Sequence, residues 1–230
     1  QKGDEVVFAS VAEKVIGRSR WLESGRLSIP ENNTLPGEGD AVAEPLLVAW
    51  YPLPADLAFE GKTAPHDAFA ALLRVKSGQY QLQILSYQDD GAFRSHGVVD
   101  IAASSQPKGL RTLDLDGNGL QDVIVFVPYD NPKVYLVEKP TAEAGESKTG
   151  IQFKEASSDR NFGISQLAKL EPKAVTVGKF PTSPEEASTA ATSADDLLIA
   201  SKSHGRALRL DDNGRLKIVE QFSGRGTSAN

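Results

Sequence analysis

The 230-residue chain is 40% hydrophobic and 24% charged, enough to bury the core of one or two domains in water. Its net charge of −6 speaks against nucleic acid as a partner, since affinity there rests on cationic contacts to phosphate. No apolar run approaches the ~20 residues of a membrane-spanning helix, and the lack of cysteine excludes disulfides, thiolate metal sites and cysteine nucleophiles.

Methionine is absent as well, so Gln1 reads as the start of a processed product or of an excised piece. From there the chain repeats one pattern four times. An acidic residue opens an apolar run, a more alternating strand follows, and a polar strand closes the unit. The first unit has Asp4–Ser10, Lys14–Ser19 and Arg26–Ile29. In the second, Glu44–Trp50 leads, and Asp67–Leu73, Tyr80–Leu85 and Ala92–Arg94 follow. The third has Pro107–Leu113, Asp122–Val127, Lys133–Val137 and Ile151–Lys154. The fourth has Glu171–Gly178, Asp196–Ala200, Arg206–Leu210 and Arg215–Val219.

Near-continuous apolarity is what a strand buried on both faces requires, and Asp211-Asp212-Asn213-Gly214 and Asp89-Asp90-Gly91 are hairpin chemistry. Helix at Phe69–Leu73 or Ala187–Ala191 lacks an amphipathic run with caps. The loop Lys139–Gly150, polar and rich in Gly, Ala and Glu, reads as mobile. The expectation is therefore an all-β chain of about four blades at 1–40, 41–105, 106–168 and 169–230, each a four-stranded antiparallel sheet. The first unit lacks a leading strand, so a missing segment or another chain is expected to complete the array.

One loop carries chemistry. In Asp114-Leu115-Asp116-Gly117-Asn118-Gly119-Leu120-Gln121-Asp122, oxygen side chains stand at 114, 116, 118 and 122, and two glycines let the backbone curl. Asp114, Asp116, Asn118 and Asp122, with the Leu120 carbonyl, make the all-oxygen set that suits a hard cation such as Ca²⁺. An EF-hand does not fit: counting from Asp114, the twelfth position is Val125, inside a β-branched run, where that motif needs a bidentate Glu between helices. The bland alternative is a surface turn without an ion.

Asp114-x-Asp116-x-Asn118-Gly119-x-x-Asp122 followed by an apolar strand resembles the cation loop of FG-GAP or VCBS repeats, which build the β-propellers of integrin α-chains and of bacterial extracellular proteins. The resemblance implies a four-stranded blade with a structural Ca²⁺ clipped between its first two strands, and the open edges of about four blades read as part of a propeller of about six to eight. It also implies a secreted, periplasmic or cell-surface bacterial protein that binds a protein or glycan. The rival reading is a supporting part of a larger extracellular hydrolase, lyase or redox enzyme.

No Gly-x-Ser-x-Gly elbow or phosphate-binding loop occurs, and His66, His96 and His204 are spread over the units like turn residues. The doublets Asp89-Asp90 and Asp195-Asp196 are explained by turn and strand-start roles. Trp21, Trp50, Tyr51, Tyr129 and Phe180 fall near strand ends where a ligand-facing surface could form, with Trp50 expected in the core.

Overall fold

A computed structural model describes residues 5–36, 42–54, 58–59, 62–63, 67–76, 78–88, 91–139, 142–143, 146–147, 150–180 and 194–224. The chain is all-β, built from successive blade-like antiparallel sheets, and helix among the described residues is limited to three short 3-10 turns. It divides into two compact units, 1–106 with 139–152, and 107–138 with 153–230.

The first unit holds two sheets. β1 (Glu5–Ser10), β2 (Val15–Arg20) and β3 (Glu31–Asn33) form a three-stranded sheet in that order. The third strand was expected at Arg26–Ile29. Instead Leu22–Arg26 closes a turn, with Gly25 at φ +73°, and only the isolated bridge Trp21↔Leu27 pairs there. Pro30 has no N–H to offer a ladder, and pairing resumes at Glu31, whose carboxylate takes a 2.6 Å bond from Arg18 Nη2.

The second sheet runs β10-β9-β8-β5-β4, from β4 (Leu35–Pro36), β5 (Val42–Pro52), β8 (Asp67–Lys76), β9 (Gln79–Tyr87) and β10 (Phe93–Ile101). Between β5 and β8 lies a short ribbon of β6 (Ala58–Phe59) and β7 (Lys62–Thr63). Strand β8 is apolar on both faces, and Ala68 to Leu73 are all buried. Its core side packs Phe69, Tyr87 and Phe93 against one another, with Arg18 lying 4.2 Å over the Tyr87 ring. Glu44 and Arg74 face each other across β5 and β8 and form an ion pair.

Two expectations fail in this sheet, one through strand alternation and one through a bulge. Trp50 is 58% exposed, while its neighbour Tyr51 takes the inward place and is fully buried. His96 is a buried strand residue, not a turn residue: a bulge between Ser95 and Gly97 in β10 turns it inward, 2.7 Å from Ser86 Oγ through Nε2.

The second unit holds the third and fourth sheets. The third is β11 (Gly109–Leu113), β12 (Asp122–Phe126), β13 (Lys133–Glu138) and β16 (Gln152–Glu155), in the order β11-β12-β13-β16. A two-stranded ribbon, β14 (Ala142–Glu143) with β15 (Glu146–Ser147), falls within the connection expected to be a loop, half of which lies outside the described residues. The fourth sheet is β17 (Val175–Gly178), β18 (Asp196–Ala200), β19 (His204–Leu210) and β20 (Leu216–Ser223), in chain order. Every residue of β12 is buried, and Ile124 and Phe126 meet Leu197, Ile199 and Leu208 in one core with Phe162 and Leu216. Gly109 is needed there, because a Cβ on it would fall 2.2 Å from the Pro172 ring. At the far hairpin, Asp211 Oδ1 accepts the Asn213 and Arg215 N–H groups, and Gly214 sits at φ +71°, the expected turn chemistry.

Candidate metal centre

The acidic loop spans the gap between β11 and β12, whose last and first residues, Leu113 and Asp122, are paired. Leu115 and Leu120 anchor it by burying their side chains completely. Between these anchors the backbone curls over its own carboxylates. Asp114 accepts the Gly117 N–H on Oδ1 at 2.8 Å and the Gly119 N–H on Oδ2 at 3.0 Å, and both glycines lie at positive φ (+75° and +84°). Asp116 Oδ1 accepts the Asn118 N–H at 3.1 Å.

Asn118 braces the loop against the next strand. Its Oδ1 accepts the Leu120 N–H at 2.7 Å, while Nδ2 donates to the Val137 carbonyl at 2.7 Å and to Asp116 Oδ2 at 3.1 Å. Asp122 is fully buried and accepts the Leu115 N–H on Oδ2 (2.8 Å) and the Val137 N–H on Oδ1 (2.7 Å). The structure thus brings three of the expected carboxylates together, Asp114 half-buried, Asp116 exposed and Asp122 buried. It places Asn118 and Leu120 in the same loop, with the Asn118 amide engaged as described.

The charge balance is uneven. Burial, against the hydrogen bonds from Val137 and Leu115 and with the Asp116 and Asp114 charges, pushes the Asp122 carboxyl up to about 8. Burial first, then the Asp114 charge, also raises Asp116. Among the described residues no Lys, Arg or His side chain forms an ion pair with Asp114, Asp116 or Asp122. Three carboxylates so arranged are close enough together to share one divalent cation. Oxygens at about 2.4 Å from one ion stand at most about 4.8 Å apart, and one oxygen from each carboxylate lies within 4.8 Å of the others.

The equivalent corner of the fourth sheet is solved differently. Asp196 opens β18 as Asp122 opens β12, and it too is fully buried. There Arg209 supplies the positive charge, with Nε 2.7 Å from Oδ1 and Nη2 3.0 Å from Oδ2, and the Phe180 N–H adds a 2.6 Å bond. The strand-start role expected for Asp196 is what the structure shows. Its neighbour Asp195 does something the spacing gave no sign of: it bonds to Asp114 across 81 positions.

The remaining expected residues lie elsewhere. His204 opens β19 with Nδ1 3.0 Å from both Ser201 Oγ and Ser203 Oγ, a turn arrangement. His66 and Asp89-Asp90 lie outside the described residues. Trp21 and Tyr129 are exposed, Tyr129 at φ +66°, whereas Tyr51 is buried and Phe180 packs edge-on against Phe222. A groove of about 840 Å³ lined by Tyr80, Gln81, Asp100 and Ser104 lies in the second sheet, among residues distinct from the acidic loop.

No protein-family model and no curated protein matches the chain. Among solved structures it is similar to a crystal structure of a protein from Lactobacillus plantarum, at 10% identity and a TM-score of 0.45. The match covers 95% of this chain and 54% of that one, so the chain spans about half the length of the structure it resembles. A likeness of that degree says nothing about ligands or activity.

Proposed function

We propose that this chain is a calcium-stabilised, blade-repeat binding module of the FG-GAP/VCBS kind, a non-catalytic part of a β-propeller in a secreted or cell-surface bacterial protein. The observation that carries the reading is the contrast between the two buried corner aspartates. Asp196 has Arg209, whereas among the described residues Asp122 has two backbone N–H donors and two more carboxylates beside it but no cationic side chain. A hard cation would supply the missing charge, held by Asp114, Asp116 and Asp122, with the Asn118 Oδ1 and the Leu120 carbonyl of the same loop as the further ligands the spacing suggests. Its chemistry would be structural: it offsets the repulsion of the carboxylates and ties the β11–β12 connection to β13 through the backbone of Val137.

The binding role draws on exposed aromatic rings. Trp50 and Trp21 in the first unit and Tyr129 in the second present amphipathic faces of the kind that stack on sugars and anchor protein contacts. Tyr129 also holds a left-handed backbone, which a non-glycine residue adopts at a cost and which is enriched at functional loops. Calorimetric titration of metal-free protein with Ca²⁺ tests the cation role. Binding of one ion with an affinity lost in Asp116→Ala is the expected result, and absence of binding refutes it. A glycan array probed with wild type, Trp50→Ala and Tyr129→Ala tests the partner class.

A further inference from the structure

Asp195 lies outside the acidic loop in sequence but is bound to it twice. Its N–H donates to the Asp114 carbonyl at 2.6 Å, and its Oδ2 accepts the Asp114 N–H at 2.9 Å. Neither residue belongs to a strand, so this reciprocal pair is no extension of a sheet ladder. The loop's bend lies beside the same segment, since a Cβ on Gly117 would stand 3.5 Å from the Ala194 nitrogen. On the other side of Asp195, Asp196 is pinned to β19 by Arg209. A continuous set of bonds therefore runs from the Arg209 guanidinium to the residue whose carboxylate gathers the Gly117 and Gly119 amides.

The chemistry of the pair is telling. Asp195 uses its carboxylate on the main chain of a loop that already carries three others. A charge in that place raises the repulsion within an empty loop, whereas the same bond helps a filled one by fixing where Asp114 points. We infer that Asp195 is a positioning residue for the cation loop, acting through the Asp114 backbone, and that it couples cation binding to the seating of the start of β18. The inference rests on the cation reading above and extends it to the residue just before the second strand of the neighbouring sheet. By linkage the effect runs both ways: the ion steadies the Asp114–Asp195 pair as much as the pair favours the ion.

The test uses the full chain, Ca²⁺ as the probe, and the variants Asp195→Ala and Asp195→Asn. Asp195→Ala removes the side-chain acceptor and should weaken Ca²⁺ binding about three- to tenfold, the range expected for one hydrogen bond. Asp195→Asn keeps an acceptor oxygen without the charge and should restore most of the affinity. Hydrogen exchange supplies a readout independent of the variants: in wild type the Asp195 amide should exchange more slowly with Ca²⁺ than with chelator. Unchanged affinity in Asp195→Ala, equal weakening in both variants, or an Asp195 amide indifferent to Ca²⁺ would each overturn the positioning role while leaving the cation site standing. Wild-type protein that takes up no Ca²⁺ would remove the cation reading itself, and this inference with it.

Discussion

Asp122 and Asp196 occupy matching places, the first residues of β12 and β18, opposite Leu113 and Gly178 on their leading strands. One step past the pair Leu197↔Leu208 stands Arg209, and one step past Val123↔Tyr135 stands Leu136. A guanidinium in one sheet is thus replaced by an apolar side chain in the other. The aspartate so deprived is the one beside Asp114 and Asp116. Burying a carboxylate without a counter-charge is among the costliest arrangements a core can hold: Asp196 meets that cost with Arg209, and the metal-free Asp122 carboxyl meets it by keeping its proton up to about 8.

The first expectation concerns melting. A ligand at about a hundred times its dissociation constant stabilises the folded state by about 2.7 kcal/mol, which for a chain of this size is roughly 5–10 °C in Tm. Calorimetric scans with saturating Ca²⁺ and with chelator should differ by about that much. Asp116 is exposed, so Asp116→Ala should leave the chelated Tm nearly unchanged and abolish the difference.

A second expectation follows from the raised Asp122 carboxyl. With the folded value near 8 and the free value at 3.8, the unfolded chain has already lost its proton at pH values where the metal-free fold still holds one. The unfolded state then binds fewer protons, so the Asp122 contribution to metal-free stability declines as pH rises from about 4 to about 8. Ca²⁺ requires the ionised form and should oppose that decline. The gap in Tm between Ca²⁺-loaded and chelated protein should therefore widen from pH 5 to pH 8; a constant gap would contradict the assignment.

Arg209 gives a third. Arg209→Leu leaves Asp196 buried beside the Phe180 N–H alone and should cost about 3 kcal/mol of folding stability. Adding Asp196→Asn removes the stranded charge and should recover much of the loss. Urea midpoints of the wild type, single and double variants would measure both steps.

His96 gives the fourth. Burial, then the Arg94 charge, pulls its imidazole down to about 4 from the free value of 6.5. Its contribution is therefore complete above pH 6.5 and is lost as pH falls through 4, because the unfolded chain takes up the proton first. In His96→Gln the acid limb of the stability curve between pH 6.5 and 4 should flatten, measured as the urea midpoint at each pH.

How much of this the sequence carried depends on the range of each interaction. The Asp114–Asp122 loop was legible because its oxygens and glycines are local, at fixed spacing before a buried strand. Strands β8, β12 and β18 were legible because burial on both faces demands unbroken apolarity. Arg209 was hidden because its meaning comes from cross-strand register with a residue 13 positions away. Asp195 was hidden for the same reason at greater distance. Trp50 misled because hydrophobicity alone does not say which face of β5 is inward, and His96 misled because Gly97, read as a turn residue, instead follows a bulge.

Strand β20 ends the fourth sheet's order, eight residues long and largely solvated. Both Lys217 and Glu220 stand exposed along it. A second chain aligning itself with this border would have to strip water from both charges before gaining any main-chain bonds. This edge of the sheet thereby carries its own deterrent against fibre formation.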